Sequence, residues 1–403
     1  MTTMAGERAE ATWCEIDDDA LADNVAGLRG VLGTGTRLGI VVKSDAYGHG
    51  LVDCARRFVA AGADWLIVHS VAEAGALREI GLTTPLLVCG PIHPGQEPLV
   101  AAMGLHAVAW DRDLIEALGQ AGQSAHGSVP LHLKVETGTH RQGIGIDAVV
   151  DLALAAQATE GVHLAGACTH LADVEDGSEH DFSRQQLRTL EVARQRLTTA
   201  GIEIEVWHAA SSAATIVLPD SRADLVRVGI AAYGLWPSAD IEDIGGASMP
   251  RLKLRPALTW RARIAQVKGM EPGGSVGYGR TWHARGSKPR RLAILPVGYY
   301  EGFPRARSNQ GHVLIRGQRA PVRGRVCMNL TMVEVTDVEA ATGSSIQAGE
   351  VATLLGADGE ASVTAEQFAE WAGTIHYEIV ARIHPSVPRH RIGARCESRG
   401  QLS

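Results

Sequence analysis

Several things are missing from this 403-residue sequence. Its six cysteines, Cys14, Cys54, Cys89, Cys168, Cys327 and Cys396, are scattered and form no C-x-x-C pair. That argues against a structural zinc site and against a dense disulfide framework. No uninterrupted apolar run approaches the roughly 18 residues of a membrane helix. The opening stretch, Met1 to Arg8, lacks the apolar centre of a secretory signal. Both absences point to a reduced, cytoplasmic protein. There is no excess of basic residues: 38 Lys and Arg face 45 Asp and Glu, for a net charge of −7. Such a chain has no global attraction for nucleic acid or anionic membranes. Internal repeats and low-complexity stretches are also lacking. Hydrophobic residues at 45% and charged residues at 21% exclude wholesale disorder.

What is present is an alternation. Eight short apolar runs read as strands: 38–42, 65–68, 85–89, 107–110, 131–135, 162–168, 204–207 and 225–228. Continuous Val, Ile and Leu suit strands covered on both faces. Helical spacing lies between them. In 71–81, Leu77 and Ile80 face inward with Glu73 and Arg78 outward. In 182–200, Leu187, Leu190, Val192 and Leu197 share one side, with Arg and Gln on the other. Eight such units predict an α/β fold built on an N-terminal (β/α)8 TIM-type barrel. A doubly wound sheet is the alternative, but Gly33 to Gly39 misses the G-x-G-x-x-G spacing. Beyond residue 250 the runs 257–267, 312–315 and 325–335 alternate with period two, predicting a mainly antiparallel β domain. Thr364 and Gln367 have capping-box spacing before a helix carrying Phe368, Trp371 and Ile375 on one face. The expected boundaries are a barrel over 12–245 and a β domain over 246–403. The N-terminal strand, about 1–16, is expected to join the second.

Lys43 follows the first barrel strand directly. In a (β/α)8 barrel that is the C-terminal mouth, where active sites lie. An amine partly desolvated there favours Schiff-base chemistry. An ordinary strand-end lysine is the commoner reading when the position is taken alone. Other residues have similarly plain alternatives: Arg141 as a surface cation, His170 as a polar mouth residue, Ser211 or Ser212 as a helix cap, and Arg227 as half of a structural ion pair. The run Gly273 to Gly277 fits the G-x-S-x-G hydrolase elbow, but Pro272 precedes it and no amphipathic helix follows, so a glycine-rich turn is the better reading.

The segment Val42-Lys43-Ser44-Asp45-Ala46-Tyr47-Gly48-His49-Gly50 resembles the lysine signature of the alanine racemase family, A-V-x-K-A-[ND]-A-Y-G-H-G. The resemblance runs from about Thr12 to Gly393. It implies a fold-type III enzyme that uses pyridoxal 5'-phosphate, acts on alanine and forms a homodimer with shared active sites. It requires no metal. By resemblance, Lys43 holds the cofactor and is one catalytic base. Tyr278, in Val276-Gly277-Tyr278-Gly279-Arg280-Thr281, is the other and reaches the partner's site. Tyr47, Arg141, His170, Ser212, Arg227, Gly229, Ile230 and Tyr377 are implied cofactor contacts. Arg141 and Met328 are implied near the substrate, Tyr299 in the entrance channel, and Lys134 as a lysine open to carbamylation. Ser211 and Asn329 stand where the family usually has Asn and often has Asp. Two alternatives share the fold: a serine or broad-specificity racemase, and a non-catalytic cofactor-binding homologue.

Overall fold

The computed structural model describes residues 10–176 and 179–394. Cys396 and the opening residues 1–9 lie outside the described residues. Two compact units emerge. One comprises 20–46 and 50–255. The other joins the residues up to Asp19, residues 47–49 and those from Pro256 onward.

The first unit is a parallel barrel. Its strands are β2 (Arg37–Val41), β3 (Trp65–Val68), β4 (Leu86–Val88), β5 (His106–Ala109), β6 (Val129–Lys134), β7 (Val162–Cys168), β8 (Val206–His208) and β9 (Leu225–Val228). They pair in the order β8-β7-β6-β5-β4-β3-β2-β9. The seam between β8 and β9 is bridged by Asp224 N–H to Trp207 O (3.0 Å) and Arg227 N–H to Ala210 O (2.9 Å). β3 and β4 are buried throughout, as their continuous apolar runs require.

The expected helices form at Val71–Glu79 and Asp181–Thr199. Two polar residues behave differently from expectation. Glu73 does not simply face outward: its carboxylate accepts from the N–H groups of Ser44 (2.7 Å), His69 (2.8 Å) and Ser70 (3.0 Å). Gln186, on the side expected to be solvated, is fully buried. Periodicity assigns a face by averaging hydrophobicity, so it misses polar side chains buried because a loop needs them.

The second unit is mainly antiparallel. Strand β1 (Thr12–Asp17) pairs antiparallel with Leu258–Arg263 and parallel with Arg389–Ile392, inside a seven-stranded sheet. Trp260, Phe303 and Phe368 are buried in its core. Fully buried Arg307 lies over the rings of Phe303, Phe368 and Trp371, at 4.7, 4.1 and 4.6 Å. The Thr364 capping box forms as expected. Its helix stops at Ala372 because Gly373 adopts the left-handed conformation, so Ile375 leads into the next helix and not onto the same face. Of the run 325–335, only Thr331–Glu334 is strand.

Candidate active site

Every candidate in the barrel unit lies at a strand's C-terminal end or in β9. Lys43 follows β2, Lys134 ends β6 and Arg141 sits in the loop beyond it. His170 follows β7, Ser212 follows β8, Arg227 lies in β9, and Gly229 and Ile230 follow it. That is the face on which barrels of this kind assemble chemistry.

Lys43 opens an unusual turn. Ser44, Asp45, Ala46 and Tyr47 all take φ between 53° and 56°, and Gly48 takes 79°. Four consecutive non-glycine residues in the left-handed region cost roughly 1–2 kcal/mol each. Within the barrel unit the turn is fastened by Ser44 N–H to Glu73, Leu51 N–H to the Asp45 side chain (2.8 Å), Ala46 N–H to Val42 O (2.9 Å) and Gly50 N–H to Asp45 O (2.9 Å). Ala46 is fully buried. The other unit takes the end of the turn. A Cβ on Gly48 would lie 2.0 Å from Val380 O, and Arg389 Nε donates to Gly48 O (3.1 Å). The Tyr47 and Tyr377 rings are 6.3 Å apart in that same unit.

Arg227 is the most heavily bonded candidate. Its Nη1 donates to His208 Nδ1 at 2.7 Å. Its Nη2 donates to Thr169 O (2.8 Å) and Ala209 O (3.0 Å) and lies 3.5 Å from His170 Nδ1. These are imidazoles and carbonyls, not the carboxylate a structural ion pair would supply. Burial lowers the Arg227 pKa from its usual range, and the charge of Arg141 adds to the effect. Burial, then Arg227, Lys134, Arg141 and Lys43, hold His170 well below 6.5 and therefore neutral at pH 7. Lys134 is also lowered, chiefly by burial, with Arg227 and Arg141 adding to it. Four cationic side chains thus act on one neutral histidine.

Loop contacts fix the positions. The Glu136 carboxylate accepts from the N–H groups of Gly138 (2.5 Å) and Arg141 (3.3 Å). Gln186 Nε2 donates to His170 O (3.1 Å), while its Oε1 accepts from Ala172 N–H (2.8 Å). Ser212 is not the cap: Ser211 holds the N-cap position without a side-chain bond. The Ser212 hydroxyl instead accepts from Gly229 N–H (2.9 Å) and Ala231 N–H (3.4 Å) across the barrel rim.

In the β unit, Tyr278 is 72% exposed in a short turn between Gly277 and Gly279. Tyr299 and Met328 are exposed as well, and Tyr299 N–H and Tyr300 N–H bond to Cys327 O (3.1 Å) and Met328 O (2.9 Å). The segments carrying Tyr299 and Met328 are therefore side by side. Asn329 donates to Glu301 Oε1 (2.6 Å), a bond an ionised aspartate could not make. Ser275 of the elbow-like run accepts from Arg280 Nε (2.9 Å) and opens a two-residue strand, so it lacks the strand–turn–helix setting of a nucleophile.

Sequence reasoning missed His106, His132 and His208. Each lies in a strand whose apolar neighbours made it look like core. Among the described residues no helix is long and apolar enough to cross a membrane.

The profile described as alanine racemase, N-terminal domain, matches residues 16–237, and that described as alanine racemase, C-terminal domain, matches 257–391. The alanine racemase of Symbiobacterium thermophilum is 39% identical over 378 residues, covering 94% of this chain and 96% of its own. The crystal structure of alanine racemase from D-cycloserine producing Streptomyces lavendulae superposes with a TM-score of 0.87 at 34% identity, covering 96% of this chain and 98% of its own. That of alanine racemase from Bartonella henselae, with covalently bound pyridoxal phosphate, gives 0.81 at 25% identity, over 95% and 100%.

Proposed function

This chain belongs to the alanine racemase family, and from that premise we propose that it interconverts L- and D-alanine with pyridoxal 5'-phosphate bound at the barrel mouth. The observation that carries the reading is that Lys134, Arg141 and His170 line one pocket at the barrel mouth, with Arg227 Nη2 3.5 Å from His170 Nδ1 and Lys43 at the same end of β2. This donor set fits an anionic cofactor. The Gly229 and Ala231 amides, which now donate to Ser212, are on the rim where a phosphate would be received. Lys43 would hold the cofactor covalently. Ser212, Gly229 and Ile230 would hold its phosphate, with Arg141 and His170 contacting the rest.

When bound, the cofactor supplies an electron-withdrawing ring that acidifies the substrate's α-proton. The protein's own groups do the remaining work. Lys43 would move the proton on one face. The partner subunit's Tyr278 moves it on the other. Two bases on opposite faces are what inversion requires. Arg227 stays protonated and so would face the ring nitrogen only as a donor. Arg141 and the Met328 backbone orient the substrate carboxylate, and Tyr299 lines the approach. The exposure of Tyr278, Tyr299, Met328 and Leu330 supports a homodimer that covers them. Lys134 is open to carbamylation because burial favours its neutral, nucleophilic amine.

The test is chiral chromatography of alanine incubated with the cofactor-loaded protein. Either isomer should reach a one-to-one mixture, and Lys43→Ala should abolish the reaction. Loaded wild-type protein that leaves L-alanine unchanged would overturn the reading. Mixing Lys43→Ala with Tyr278→Phe subunits should restore part of the activity, because some mixed dimers regain both bases in one site. No recovery after demonstrated subunit exchange would place both bases in one chain.

A further inference from the structure

Three histidines and Arg227 form a single file through the barrel. Arg227 Nη1 meets His208 Nδ1 at 2.7 Å. His208 Nε2 meets His132 Nδ1 at 2.8 Å, and His132 Nε2 meets His106 Nδ1 at 3.0 Å. His208 is the last residue of β8, and His106 is the first of β5. The file thus runs from the catalytic end of the barrel to its opposite end. Trp65 closes it, packed edge-on to His106 at 4.4 Å and to His132 at 5.7 Å. His132 has room only because β7 carries Gly166 opposite it: a Cβ there would lie 2.2 Å from His132 Nδ1. Among the described residues, no group of three or more His, Cys, Asp or Glu could hold a metal ion.

The bonding fixes every proton in the file. A guanidinium only donates. His208 Nδ1 must therefore accept, so a neutral His208 carries its proton on Nε2. That proton goes to His132 Nδ1, which forces the His132 proton onto Nε2 in turn. His106 Nδ1 then accepts from His132. His132 and His208 are fully buried, and burial also favours their neutral forms. Around His106 stand His163, Glu205 and Arg78. An Nδ1 proton on His106 would reverse each bond and leave His208 Nδ1–H facing the Arg227 N–H.

We propose that His106, His132 and His208 form a one-directional chain of neutral Nε2–H imidazoles that holds Arg227 in place, with His106 its terminal positioning residue. This rests on the reading that Arg227 lies against the cofactor ring. The role is positioning: His106 acts on the reaction only through His132, His208 and Arg227.

The first test needs neither cofactor nor substrate. In 15N-histidine-labelled protein, two-bond 1H–15N correlation at pH 7 should show all three rings neutral and protonated at Nε2, with assignments taken from single His→Gln variants. An Nδ1–H tautomer or a cation at any of the three would overturn the proposal. It would leave the assignment as a racemase untouched. The second test uses the loaded enzyme. His106→Leu should lower kcat about tenfold with KM within about twofold, the scale of one hydrogen bond in a charged network. His106→Gln, whose carbonyl oxygen can accept from His132, should recover most of that loss. Equal kcat in wild type and His106→Leu, or no recovery in His106→Gln, would also overturn the proposal. Should His106→Leu fail to fold, the wild-type tautomers still decide. A wild-type enzyme without racemase activity would sink the functional reading while leaving the tautomer test intact.

Discussion

Lys43 and Tyr278 stand on short turns built in opposite ways. The Lys43 turn is left-handed over four non-glycine residues, fastened by the Glu73 and Asp45 carboxylates and pinned through buried Ala46. The Tyr278 turn is flanked by two glycines and leaves the ring 72% exposed. The first spends conformational energy to hold an amine in one place. The second presents a phenol with little of its own scaffold around it. On the proposed function, one base is positioned by its own fold and the other awaits a second subunit.

The largest expected effect probes the exposed turn. Tyr278→Phe should slow α-deuterium exchange from L-alanine by about 10²- to 10⁴-fold, the usual contribution of a positioned base. Exchange from D-alanine should slow much less. Single-turnover washout followed by mass spectrometry reads each direction separately. Equal small losses would make Tyr278 a packing residue.

A glycine pair sharpens the contrast. Gly48→Ala places a methyl 2.0 Å from Val380 O at a φ of 79°. It should cost several kcal/mol, about 4 or more, among the severe single substitutions. Gly279→Ala meets only the tip of the Arg325 side chain, at 3.1–3.4 Å, and sits at φ 70° and ψ 5°, close to the left-handed well. Its cost should stay near the ~1–2 kcal/mol of a left-handed alanine. Urea unfolding midpoints of the two variants measure the difference. Equal costs would mean that the Lys43 turn is no more tightly held than the Tyr278 turn.

Acid should act more gently, and mainly on the barrel. His132, His170 and His208 are held well below 6.5, and His106 at about 4, all chiefly by burial. The folded state therefore binds fewer protons than the unfolded chain once pH drops below about 6.5. The stability these residues contribute is complete above that value and is lost as pH falls toward the folded-state pKa values. Each proton adds a slope of about 1.4 kcal/mol per pH unit. At pH 5, hydrogen exchange should show the barrel strands loosened more than the β unit, where His312 is also lowered to about 4. Equal loosening would mean that the file of imidazoles carries no special acid sensitivity.

The sequence made the barrel strands legible because strands covered on both faces must be continuously apolar. Lys43 stood out only through the family signature over 42–50, since a strand-end position alone favours an ordinary lysine. The handedness of its turn was not, since Ser44 to Tyr47 carry no glycine to announce positive φ. Nor was the file His106–His132–His208, which needs β5 and β6 paired and β8 brought up beyond β7, at its Gly166, before its spacing exists. Gln186 escaped for a related reason: its buried partners, His170 and Ala172, lie on another element.

Strand β1 has a consequence for synthesis. Thr12 accepts a hydrogen bond from Trp260, 248 residues further along. At translation speeds of 5–20 residues per second, β1 leaves the ribosome roughly 12–50 s before that partner exists. All eight barrel strands, 37–228, are made in that interval, each with its neighbours already at hand. During it the first strand must stay unpaired and keep its edge from other nascent chains. The order of assembly is therefore written into the connectivity: barrel first, with the earliest-made strand among the last to find its place.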